Sequence, residues 1–84
     1  MYNYHYLVNY NNGDNMNIDI RRYVIDNFIN DDIDDISKSI NDSISSREDD
    51  TLIGLGVLFE LAWTNSTNEE RYNILNNIKK GMTD

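Results

Sequence analysis

Cysteine and proline are both absent from the 84 residues, and there are only four glycines and one histidine. No disulfide or thiolate metal site is possible, and the usual punctuation of loops and turns is scarce. His5 is the only histidine, so the body of the chain has neither a histidine general base nor a histidine-rich metal site. Cations are few as well: seven Lys and Arg stand against fifteen Asp and Glu, a net charge of -8. Such a chain repels nucleic-acid phosphates. No apolar run approaches the ~18 residues of a membrane span, and the amino terminus lacks the basic start and apolar stretch of a secretory signal. The expected compartment is therefore cytosolic, with no membrane partner. At 84 residues the chain has room for one small domain of the usual ~100–200-residue scale and none for a large catalytic cleft.

The apolar content suffices for a small core. Leu, Ile, Val and Phe together number 22, or 26% of the chain, above the ~20% level below which disorder is expected. Acidity is concentrated in residues 26–50, which hold nine carboxylates against Lys38 and Arg47, a local balance of -7. Residues 1–15 form a separate compositional block, with nine Tyr or Asn among them. These are residues of A/T-rich codons, and Gly13-Asp14-Asn15 before Met16 reads in codons as a purine-rich ribosome-binding site ahead of an ATG. The expectation is that Met16 is the natural start and that residues 1–15 are a disordered leader or an upstream extension of the reading frame, with the helical domain over 16–84.

Apolar spacing predicts helices. Ile20, Val24, Ile25, Phe28 and Ile29 suggest one over about 19–29. Ile33, Ile36, Ile40 and Ile44 line one side of a second over about 32–45, with Asp31, Asp32, Asp34 and Asp35 at its start and Arg47 near its end, as the helix dipole favours. The stretch from Leu52 to Trp63 is too continuously apolar for a two-residue period. It reads as a third helix, capped by Asp50 or Thr51, with Leu52, Leu55, Phe59, Ala62 and Trp63 on one face. Gly54 and Gly56 cost about 1 kcal/mol each inside a helix, and close packing of a neighbouring helix is the expected reason. Ser66 and Glu69 form a capping box for a last helix, whose buried stripe is Ile74, Leu75, Ile78 and Met82 and whose end is Lys79-Lys80-Gly81. The fold class is all-α: a small single domain of three to four short helices.

Tests for chemistry come out negative. Taking Asp32 as the first position of a calcium loop puts Ile36 at a ligand position and Ser37 where Gly is required, so the acidic run reads as a solvated helix start. Gly54-Leu55-Gly56 lacks the third Gly of a dinucleotide fingerprint and the Lys of a phosphate loop. The sequons at Asn41 and Asn65 have no secretory route to make them matter. Arg21-Arg22 and Lys79-Lys80 fall short of a groove-reading stripe. No nucleophile has a base beside it, so the chain is expected not to be an enzyme and to need no cofactor or metal.

The run Gly54-Leu55-Gly56-Val57-Leu58-Phe59-Glu60-Leu61-Ala62-Trp63 closely resembles the small, acid-soluble spore proteins of the I type from endospore-forming bacteria. There the stretch reads Leu-Pro-Gly-Leu-Gly-Val-Leu-Phe-Glu, two apolar residues and Trp. The likeness extends without gaps back to Met16-Asn17-Ile18-Asp19-Ile20-Arg21 and forward through the last helix, covering all but the first fifteen residues. Ile53 stands where the family has Pro, and Arg22 where a small residue is usual. That Pro suits a first helical turn, consistent with a helix beginning near residue 53. The resemblance implies a minor, non-enzymatic spore protein, made in the developing forespore, resident in the spore core (the forespore cytoplasm), and used in sporulation, dormancy or outgrowth. It implies no defined molecular activity, and the basic, Gly-Gly signatures of the major DNA-coating spore proteins are absent. The competing reading is an acidic helical adaptor or regulator of vegetative cells, presenting residues 31–35 to a basic protein. Leu55, Val57, Leu58, Phe59 and Trp63 are the expected core or self-association residues, with Gly54 and Gly56 at a close helix contact. The expected partner is an unknown protein or a second copy, in a homodimer built on the third helix.

Overall fold

A computed structural model of the chain describes residues 19–83; His5, the leader at 1–15 and the start at Met16 lie outside them. The described residues form four α-helices and no strand: α1 Ile20–Phe28, α2 Ile33–Ser46, α3 Thr51–Thr64 and α4 Asn68–Met82. The expected class holds, and each helix lies within a few residues of its expected span.

Side-chain caps set three of the four starts. Asp19 is extended at the head of α1 and accepts from the Arg22 amide at 3.0 Å. Asp32 does the same for α2, accepting from the Asp35 amide at 2.8 Å, with Asp34 and Asp35 in the first turn. Each satisfies one of the amides that a helix start leaves unpaired. α4 opens on a complete capping box, but it is Thr67 and Glu70, one residue beyond the expected Ser66 and Glu69. The Glu70 amide donates to Thr67 Oγ1 at 3.1 Å and the Thr67 amide to Glu70 Oε1 at 2.8 Å. Ser66 is engaged behind it, its hydroxyl donating to the Ala62 carbonyl at 2.6 Å, so it closes α3 instead of opening α4.

α3 starts without a side-chain cap, contrary to the role expected of Asp50 or Thr51. Asp50 is itself helical and makes no capping bond, while the Thr51 hydroxyl donates backwards to the Glu48 carbonyl at 2.8 Å. A tight turn takes over the work, with the Thr51 and Leu52 amides bonded to the carbonyls of Glu48 and Asp49. This turn follows Arg47, which ends α2 in the left-handed conformation (φ 58°, ψ 25°) and donates its amide to Ile44.

α3 packs against both α1 and α2, and the two buried apolar residues among those described are Val24 of α1 and Val57 of α3, each 7% exposed. α2 shows Ile36 and Ile40 half-buried but leaves Ile33 82% and Ile44 56% exposed, so its isoleucine row is covered only in the middle. The expected buried stripe of α4 is not buried either. Ile74 is half-buried, whereas Leu75, Ile78 and Met82 are exposed, because the four short helices offer no further layer to cover them.

Candidate functional site

The five residues expected to form the core or an association surface separate into three groups. Val57 is buried, Leu55, Leu58 and Trp63 are half-buried, and Phe59 is 44% exposed. A helix of nearly unbroken apolar sequence turns some of that surface inward and some outward, since no polar face limits it. The inward side closes on a cleft of about 330 Å³ between α1, α2 and α3, walled by Val24, Phe28, Ile40, Leu55 and Leu58.

The outward side carries Leu52, Gly56, Phe59 and Trp63 at positions i, i+4, i+7 and i+11, one stripe of the helix. Together with Leu75 and Ile78 of α4, Phe59 and Trp63 line an open groove of about 560 Å³, with Arg21 and Glu60 on its lip. The Phe59 and Trp63 rings lie 5.8 Å apart and tilted by 31°. Arg71 anchors α4 to this stripe. Its Nε donates to the Trp63 carbonyl at 2.9 Å, and its guanidinium stands 5.3 Å from the centre of the Trp63 ring, within cation–π range. Sequence reasoning passed over Arg71, although a cation three residues before Ile74, on the apolar side of α4, was the available signal.

Neither glycine of α3 meets a neighbouring helix within one molecule. A Cβ added at Gly54 or at Gly56 meets nothing within 4 Å, so no neighbouring helix in the chain needs either to be glycine. Gly54 borders the cleft, where there is space to spare. Gly56 lies in the outward stripe.

Charged groups around the groove are paired on the surface. Arg21 grips Glu60 with two hydrogen bonds, 2.7 and 2.9 Å, joining α1 to α3 across 39 positions. This hydrogen bond holds the Glu60 carboxyl below its ordinary value, outweighing the opposing desolvation, with the Arg21 charge adding to it. On α2, the hydrogen bond from Lys38 to Asp42, at 2.9 Å, and the Asp42 charge raise the Lys38 ammonium above its ordinary value. Arg22 and Asp26 make a looser pair at 3.4 Å on α1. Among the described residues no group of three or more His, Cys, Asp or Glu is placed to hold a metal ion, and no helix is long and apolar enough to cross a membrane. The groove is suited to burying apolar surface, with its polar lip already satisfied.

The family model for small, acid-soluble spore protein I matches residues 18–82. The small, acid-soluble spore protein I of Bacillus cytotoxicus is 37% identical over 67 residues, which cover 80% of this chain and 96% of the relative. Those of Bacillus mycoides and Bacillus anthracis are each 34% identical over 67 residues, covering 80% of this chain and 97% of the relative. No solved structure matches the chain.

Proposed function

We propose, from the premise that the chain belongs to the small, acid-soluble spore protein I family, that it is a non-enzymatic protein of the spore core, made in the forespore and used in dormancy or outgrowth. Family membership makes it a sporulation-related spore protein, and the match over residues 18–82 is the observation that carries the reading. The geometry supports a role in association over one in catalysis. The groove walls are apolar, and the two carboxylate and ammonium groups with shifted titration sit in exposed ion pairs, where no desolvated acid, base or nucleophile is formed.

Intact-mass analysis of acid extracts tests this. Dormant spores stripped of their coats are expected to yield the protein only on rupture, and growing cells to yield none. Loss of the protein with the coat would overturn the core location. Its presence in growing cells would overturn the spore role and favour an adaptor presenting Asp31, Asp32, Asp34 and Asp35.

A further inference from the structure

We infer that the groove between α3 and α4 is the interface of a homodimer, in which the apolar walls of one copy, Phe59 among them, pack on the same surface of the second. Three observations carry this, each independent of when in the life of the cell the protein is made. The first is the deficit of internal burial. Val24 and Val57 are the buried apolar residues among those described, while Leu52, Phe59, Leu75, Ile78 and Met82, which lie on the two helices bounding the groove, are all 40% exposed or more. Small domains without disulfides or metals commonly make up such a deficit by oligomerising.

The second is Gly56. It interrupts the exposed stripe of α3 at a position where the chain itself has nothing within 4 Å of a Cβ, so its lack of a side chain serves nothing inside one molecule. Between Leu52 and Phe59 on the same stripe it leaves a flat place at which a second α3 can approach closely.

The third observation, which selects a second copy as the occupant, is charge. Two molecules of net charge -8 meet at least cost through a neutral surface. Residues 26–50 carry -7, whereas residues 51–83, which hold both helices of the groove, contain three carboxylates (Glu60, Glu69, Glu70) and three cations (Arg71, Lys79, Lys80). The groove walls, Phe59, Trp63, Leu75 and Ile78, form one apolar patch that can face its own copy, as an interface with two-fold symmetry requires.

Sedimentation equilibrium of the full chain, with helicity followed by circular dichroism, tests the inference. The expected mass at micromolar to millimolar concentration is about twice the 9.8 kDa of one chain. Leu75→Glu places like charges in the interface and Gly56→Gln fills the flat place. Each is expected to weaken the dimer at least ~tenfold, a change of about 1.4 kcal/mol, with helicity kept. Ile33→Glu, on the 82%-exposed start of α2, is the control and leaves the dimer unchanged. A wild-type monomer at every concentration would overturn the inference and leave the groove to another partner. Equal effects of the groove and control variants would overturn it in favour of a different interface. Should Leu75→Glu lose its helicity, Gly56→Gln decides, since Gly56 has open space around it within one molecule.

Discussion

Arg47 makes the turn between α2 and α3 in a conformation that glycine adopts freely and other residues do not. Its φ of 58° brings Cβ close to the following carbonyl oxygen, at a cost of about 1–2 kcal/mol. Its charge, however, sits at the negative end of the α2 dipole, which favours it by a few tenths of a kcal/mol. Replacement by Ala removes the charge and keeps the Cβ; replacement by Gly removes both. Arg47→Gly is therefore expected to be about 1 kcal/mol more stable than Arg47→Ala in chemical denaturation. Equal stabilities would mean that the turn relaxes out of the left-handed region at no cost. Gly54 gives the opposite case, a glycine where a side chain is permitted. It lies inside α3 with open space around a notional Cβ, so Gly54→Ala should add about 1 kcal/mol and raise the melting temperature by roughly 4–8 °C. An unchanged or lowered melting temperature would place a neighbour against this position.

At the scale of the elements, the sequence shows clearly whatever is local and periodic. The isoleucines of α2 recur at helical spacing, and an expected span of 32–45 meets an observed Ile33–Ser46. The capping box of α4 was legible to within one residue. Ser66 and Thr67 both have a glutamate three positions on, and only the hydroxyl bond from Ser66 back into α3 separates the two choices. The inward face of α3 gave no periodic signal, although Leu55, Val57 and Leu58 are among the expected core or association residues. Its apolar residues surround the helix, so periodicity could not single out Val57, which lies off the expected stripe and is the residue of α3 that is buried. The Arg21–Glu60 tie was hidden for another reason, since 39 intervening residues leave no local signal.

That tie has a consequence in pH. The folded carboxyl of Glu60 titrates below its ordinary value of 4.5, so its stabilising contribution is complete above that value and is lost as pH falls through the folded one. Lys38 behaves in the reverse sense. Its contribution is complete below 10.5 and lost as pH rises through its higher folded value. In Arg21→Gln, NMR titration of the Glu side-chain carboxyl carbons and the Lys Cε carbons is expected to show Glu60 returned to the ordinary range and the Lys38 midpoint left where it was. A wild-type Glu60 already in the ordinary range would mean that α1 and α3 are not tied in solution.

At the scale of the whole molecule, two electrostatic effects oppose each other, and salt separates them. Among the described residues the ion pairs Arg21–Glu60, Arg22–Asp26 and Lys38–Asp42 are all exposed. Pairs of this kind contribute about 0–1 kcal/mol each and weaken as salt is added. Against them stands the self-repulsion of a chain with net charge -8, most of it within residues 26–50, which salt relieves. The pairs act over a single contact distance, whereas the repulsion acts over the spacing of a whole helix. Shortening the Debye length from ~30 Å at 0.01 M to ~8 Å at 0.15 M therefore removes more repulsion than attraction. The melting temperature is expected to rise over this interval. Neutralising Asp31, Asp34 and Asp35 to Asn, with the capping Asp32 left in place, should remove a large part of the rise. A melting temperature that falls with added salt would assign the ion pairs the larger share of the stability. A rise undiminished in the triple variant would locate the repulsion outside the acidic start of α2.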